Sequence, residues 1–200
     1  FLDVCAFDVG FVNPIHSTFG RVVSVPIKEI DSELCGLTSF ECSSQPGTAV
    51  RFDPLREVVM WRSQYRNQGT HQTLVGSLVT DVNGSNLGGV QWYELRNSGG
   101  GWGLHQNGTH SPANVNRWMS SIAMDIDGNI HMGYSVSDGI STFPGIRTAG
   151  RLASDPLGTI PLAESVVVNG GGSQTAADRW GDYSSMNVNP FDQCTFWYAN

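Results

Sequence analysis

The chain has little charge and no convincing amphipathic helix. Only 14% of its 200 residues are Asp, Glu, Lys or Arg, and no segment repeats apolar residues at helical spacing, which argues against a helical bundle or a coiled coil. No apolar run approaches the length of a membrane-crossing helix. Basic residues are scarce as well: 11 Lys and Arg stand against 18 Asp and Glu, a net charge of −7. Such a balance argues against a nucleic-acid backbone as partner, which would need a basic face. The Gly-x-Ser-x-Gly elbow, the phosphate-binding loop and the Rossmann glycine fingerprint are all missing, which weighs against α/β-hydrolase, nucleotide and dinucleotide chemistry. The five histidines, His16, His71, His105, His110 and His131, form no pair at a zinc spacing, and no Cys-x-x-Cys accompanies them.

What the chain does have is glycine, 24 residues of it, and Val, Ile, Thr and aromatics alternating with polar residues. That pattern predicts an all-β chain. A phrase also recurs: Arg117-Trp118-Met119-Ser120-Ser121-Ile122-Ala123-Met124-Asp125 returns as Arg179-Trp180-Gly181-Asp182-Tyr183-Ser184-Ser185-Met186-Asn187. The echo continues past a turn, with Gly133-Tyr134 answered by Trp197-Tyr198. Self-similarity at tens of residues marks a repeat architecture, and each copy reads as strand, polar turn and strand, half of a propeller blade. Two weaker copies lie upstream, Val50–Pro54 leading into Met60–Tyr65 and Leu78–Asp81 leading into Val90–Tyr93. Between them, Pro54–Trp61 reads as a turn running into a strand. Residues 1–200 are therefore expected to form a single β-propeller domain or a segment of one, in four-stranded antiparallel blades.

Cys35 and Cys42 bracket six residues between turn signals, a span that a disulfide could staple or that could hold two free buried thiols. A bridge would place the protein outside the cytosol. Cys5 and Cys194 lie near opposite ends, and spacing alone does not establish their connectivity. The chain begins with Phe and carries no signal-peptide pattern, so it is expected to be a mature protein or an excerpt.

The run Gln45–Thr48 through Tyr65-Arg66-Asn67, with His71, Trp92–Arg96, Arg117–Met119, Ser121–Asp125, Gly133–Ser137, Arg151–Thr159 and Arg179–Tyr183, resembles a family of large secreted bacterial proteins that look like sialidase-type propellers. The resemblance extends over nearly the whole chain. It implies a propeller fold, a secreted or cell-surface location and a glycan or polysaccharide partner. Ala123–Asn129 only approximates the Ser/Thr-Asp-Gly-aromatic box of sialidase-type blades. Roughly twelve to fourteen strand candidates make three or so blades, fewer than a closed ring needs. Further blades outside these residues, or self-assembly, are expected to complete it.

Arg117-Trp118 and Arg179-Trp180 stand at the heads of expected first strands, where they could present guanidinium forks and indole faces to a ligand. They could equally pack blade to blade, each Arg lying on a Trp face. Arg62 and His71 join the ligand-binding candidates. In the ungapped comparison Ser120 stands opposite Asp182, so the copies differ there in a chemically pointed way. Asp182 beside Arg179 and Tyr183 could serve as general acid or base, or as a salt-bridge partner. Sialidase-like chemistry would need a Tyr nucleophile, a carboxylate and an Arg cluster, and Tyr183, Glu94, Arg62, Arg117, Arg147 and Arg179 supply the residue types. Asp125, Asp127 and Asn129 alternate through a turn that could offer oxygens to calcium or satisfy its own backbone. The functional expectation is glycan recognition, with a glycoside hydrolase and a structural module of a larger surface protein as alternatives.

Overall fold

The computed structural model describes residues 1–36 and 38–200. Among the described residues there are twelve strands, one three-residue 3-10 turn (Pro14–His16) and no α-helix. The chain is all-β, and every sheet in it is antiparallel. Among the described residues no helix is long and apolar enough to cross a membrane.

A hairpin of β1 (Leu2–Asp8) and β2 (Thr18–Val25) comes first, and from there to residue 63 the described residues form no further strand. Then come three meanders in chain order. β3 (Gln64–Asn67), β4 (Gln72–Asp81), β5 (Gly88–Asn97) and β6 (Trp102–His110) form one four-stranded sheet. β7 (Asn116–Met124), β8 (Ile130–Ser137), β9 (Gly145–Arg151) and β10 (Leu162–Val168) form a second. β11 (Ser185–Val188) and β12 (Phe196–Ala199) make a third sheet of two strands. Consecutive strands pair because short polar turns connect them. The Asp81 carboxylate, for example, accepts the amides of Asn83, Gly84 and Asn86 between β4 and β5.

Of the two weaker repeats, Leu78–Asp81 and Val90–Tyr93 are indeed hairpin partners in β4 and β5. Val50–Pro54 is not a strand. Phe52 makes only an isolated bridge to Ser43, and Asp53 instead closes an Asx turn onto the Leu55 amide, which diverts the chain from extended pairing. The strand expected from the Pro54–Trp61 turn begins only at Gln64.

Each strand of the second sheet shows its place by its burial. β7 is buried along all nine residues, whereas β10 is mostly exposed. A strand buried on both faces must have neighbours on both, and the serines show them: Ser120 Oγ donates to Ser77 Oγ on β4, while Ser121 Oγ accepts the Met186 amide on β11. Alternation carries Ile122 and Met124 toward the first sheet, where they join Val75, Val90 and Trp92, with Ile130, Met132 and Val136 from β8 completing that core. Full burial of each such side chain contributes about 1.5–3 kcal/mol. The other face of the first sheet, at Leu78, Tyr93 and Leu95, is covered by Val25 and its hairpin neighbours Leu2, Val4 and Val23.

A third cluster caps the start of β7. Cys35 and Cys42 are joined as a disulfide with Cα atoms 5.0 Å apart, and they pack with Leu34, Phe52, Met60, Val79, Trp118 and Met119. Cys5 and Cys194 are free and exposed. The bridge therefore pins an irregular segment that has no sheet of its own to hold it.

The repeated phrase aligns differently in space than it does without gaps. Met119 and Tyr183 both have positive φ, 48° and 66°, and both are followed by Ser-Ser. Ser120 therefore corresponds to Ser184, and Gly181-Asp182 is a two-residue insertion with no counterpart in the first copy. Only glycine suits position 181, where φ is 81° and a Cβ would collide with the Ser135 hydroxyl.

Candidate functional site

The N-terminal ends of the leading strands frame a cleft of about 270 Å³. Val58, Val59, Met60 and Trp61 come from the segment ahead of β3, Met119 and Ser120 from β7, and Arg179, Asp182, Tyr183 and Ser184 from the approach to β11. Trp61 is 65% exposed and Tyr183 is 95% exposed, so two aromatic faces stand in water at one cleft. Three of its residues, Leu55, Met119 and Tyr183, have φ values of 50°, 48° and 66°. Left-handed backbone at bulky residues is costly and tends to gather where function requires a shape.

The polar floor is an ion cluster. Arg179 Nε and Nη2 both lie 3.0 Å from Asp182 Oδ2, and Nη1 lies 3.2 Å from Asp53 Oδ2. Partial burial works against the charged guanidinium, but hydrogen bonding to Asp182 and the charges of Asp182, Asp53 and Asp178 raise its pKa above the ordinary arginine value. Its fork is thus already engaged. Asp182 and Tyr183 do sit together, as the sequence suggested, but Asp182 is an ion-pair partner of Arg179 on the face where an acid or base would work.

Arg117 and Trp118 lie elsewhere. Trp118 is fully buried, stacks on Phe52 at 5.6 Å and donates its indole N–H to the Trp180 carbonyl at 3.0 Å. Trp180 is partly buried against the same Phe52 ring, 6.1 Å away. Neither Arg stacks on its neighbouring Trp; among the described residues the cation–π contact is Arg56 over Phe40. Arg117 runs into the interior and donates from Nε to Glu164 Oε2 at 2.8 Å and from Nη1 to the Val115 carbonyl at 2.7 Å.

That network joins five ionisable side chains, His110, Arg117, Tyr134, Arg147 and Glu164, and the sequence did not announce it. Tyr134 donates to Glu164 Oε2 at 2.7 Å, His110 Nε2 is 2.8 Å from the Tyr134 hydroxyl, and Arg147 approaches Glu164 Oε1 at 3.7 Å. Burial would raise the Glu164 pKa, but the hydrogen bonds from Arg117 and Tyr134, with the His110 ring 3.7 Å away and the Arg117 charge, hold it down at about 2. Burial and then the Glu164 carboxylate push the Tyr134 phenol upward, so it remains a neutral donor. A Tyr, a carboxylate and two Args are therefore assembled, but Tyr134 is wholly buried and cannot meet a substrate. The signal was the strand parity: Tyr134 and Arg147 are direct cross-strand partners on β8 and β9.

The remaining candidates disperse. Arg62 reaches Asn187 Oδ1 at 3.4 Å. Glu94 is buried between Arg96 Nε and Gln106 Nε2, each 2.5 Å away. His71 follows β3 at the far ends of the leading strands, where it and Asp127 line a second cleft of about 240 Å³ with Gln68, Thr70 and Arg96. Asp125 Oδ1 accepts the amides of Asp127 and Asn129, Asp125 Oδ2 accepts Asn129 Nδ2, and Asn129 Oδ1 accepts the Ala153 amide. The Asp125 and Asn129 side-chain oxygens are thus taken up by the turn and its neighbour, and no group of three His, Cys, Asp or Glu suited to a metal occurs among the described residues.

A wider groove, about 770 Å³ near Lys28–Glu33 and Asp81, is less suited to recognition. No aromatic lines it, and Asp31 and Asp81 are occupied by backbone amides. The aromatic-flanked cleft is the better site, and the sequence marks Trp61, which lines it, only as part of the weaker repeat copy Met60–Tyr65.

No family model, characterised protein or solved structure matches the chain. Fold and site together define a class: an all-β chain of successive antiparallel meanders, closed at one end by a disulfide-tied cap and opened there by a cleft with exposed aromatics.

Proposed function

We propose that the chain is part of a secreted β-propeller, similar to sialidase-type propellers, and that it recognises an extracellular glycan through the cleft at Trp61 and Tyr183. Each four-stranded meander is read as a blade and β11–β12 as the first half of a third. Side-chain hydrogen bonds between leading strands support that reading: Gln64 Nε2 on β3 meets the Met186 carbonyl on β11. The Cys35–Cys42 bridge supports an oxidising compartment.

The observation that carries the function is the pair of exposed aromatics beside a fixed Arg179–Asp182 pair. A sugar ring offers an apolar C–H face to stack on an aromatic ring and hydroxyls to meet planar polar groups. Binding is favoured over hydrolysis because Arg179 is the sole arginine lining the cleft among the described residues and is already paired with Asp182 and Asp53, whereas sialidase-like chemistry needs a cluster of arginines free to hold the substrate acid.

The test is a glycan array followed by titration calorimetry on the strongest hits, with hydrolysis of the same sugars assayed in parallel. Trp61→Ala and Tyr183→Ala should each weaken binding at least tenfold while changing unfolding stability by less than about 0.5 kcal/mol, since both side chains are exposed. Product release from any bound sugar would favour the hydrolase, and array silence would leave the structural-module alternative.

A further inference from the structure

Resting on that reading of the cleft, its charge arrangement specifies the ligand class. Among the described residues that line it, Arg179 and Asp182 are the charged ones. Behind them stand Asp53, ion-paired to Arg179 at 3.2 Å, and Asp178, whose charge also acts on the guanidinium. One cation therefore faces three carboxylates. The neighbouring guanidinium of Arg62 is turned toward Asn187 on β11. The other walls, Leu55, Val58, Val59 and Met60, offer no charge at all.

A carboxylated sugar such as a sialic acid or a uronic acid needs a free guanidinium fork to replace its lost hydration. Here the fork is already occupied on both sides. We infer that the cleft takes neutral saccharides and rejects carboxylated ones, and that Asp182 is the residue that sets this selectivity. The inference runs opposite to what a sialidase-type resemblance leads one to expect. Asp182 suits the role because it belongs to the two-residue insertion that distinguishes this approach from that of β7. Without it, Arg179 would keep a free edge facing the cleft.

The experiment uses pairs of oligosaccharides that differ by carboxylates: lactosaccharides with and without a terminal sialic acid, and galacto-oligosaccharides against oligogalacturonates. Affinities are measured by calorimetry on the native 200-residue chain and on Asp182→Asn, whose fold is checked by thermal unfolding. The native protein should bind the neutral member of each pair more tightly. Raising salt from 20 mM to 500 mM should narrow the gap, because the repulsion is screened at the cleft mouth. In Asp182→Asn the ratio of acidic to neutral affinity should rise about three- to fivefold, the size of a partly exposed charge interaction.

Preference of the native chain for the carboxylated member overturns the selectivity and leaves glycan recognition standing. So does a neutral preference that neither salt nor Asp182→Asn alters, since charge would then not be its cause. Binding of neither member of any pair overturns the glycan reading and the selectivity with it. The salt series on the native chain decides whether charge causes the preference even if Asp182→Asn fails to fold, and Asp182→Ser then tests the residue.

Discussion

Arg117-Trp118 and Arg179-Trp180 are one dipeptide at the head of two successive meanders, yet the first arginine's side chain is 1% exposed and the second's is 43% exposed. Arg117 enters a strand that is covered on both faces, so its charge has to be met inside the protein, by Glu164 and by backbone carbonyls. Arg179 approaches a sheet of two strands through an extra Gly181-Asp182, and the insertion supplies its partner at the surface. The two ion pairs look alike in a contact map and differ in what would follow from losing them. A repeat preserves the backbone device, here a left-handed residue followed by Ser-Ser, while the solvent around it decides what the side chains do.

The largest expected effect separates the two arginines directly. Arg117→Ala should destabilise the protein by roughly 3 kcal/mol, because it empties a fully buried site and removes the closest cation from the partly buried Glu164 carboxylate. Arg179→Ala should cost about 1 kcal/mol or less, because a half-exposed pair is screened by water. Urea unfolding of both variants checks this, and similar midpoints would abolish the contrast.

Acid should distinguish the same two regions. The Glu164 pKa is lowered from 4.5 to about 2 in the folded state, so its contribution to stability is complete above pH 4.5 and is lost as pH falls toward 2. Water at this partly exposed carboxylate screens the interaction, so the loss amounts to about 1–2 kcal/mol. Denaturant melts at pH 5, 4, 3 and 2 should show this loss in the native chain, and Glu164→Gln should show a visibly flatter profile. An equally steep profile in that variant would move the acid sensitivity to other carboxylates.

The disulfide sharpens the comparison from the other side, since the segment it staples carries Asp53 to Arg179 and Phe52 to Trp118. Closing so short a loop is worth about 2–3 kcal/mol in the chain-entropy account. Replacing Cys35 and Cys42 by Ser should lower stability by that amount and weaken glycan binding at the cleft, while the Arg117–Glu164 network keeps the second sheet folded. Amide hydrogen exchange resolves the two: protection should fall around residues 50–62 before it falls in β7 and β8.

Much of the architecture could be read from local signals. The alternation of Val, Ile and aromatics with polar residues sufficed for an all-β chain, and Asp81 and Asp125 were legible as turn formers because an Asx turn is a property of a few adjacent residues. The Cys35–Cys42 bridge was legible for the same reason, closeness along the chain. Val50–Pro54 misled because its apolar pattern promises a strand while the Asp53 Asx turn bends it away.

The site was only half visible. Asp182 and Tyr183 are adjacent in sequence and so arrive together, but Trp61 reaches them from more than a hundred residues away. Glu164, Tyr134 and His110 likewise meet Arg117 from three other strands. Sequence by itself determined which residues turn, which extend and which repeat, since those are settled by backbone sterics and near neighbours. Tertiary structure alone decided which arginine is buried and which is wet, because burial and ion pairing depend on what the rest of the chain packs alongside.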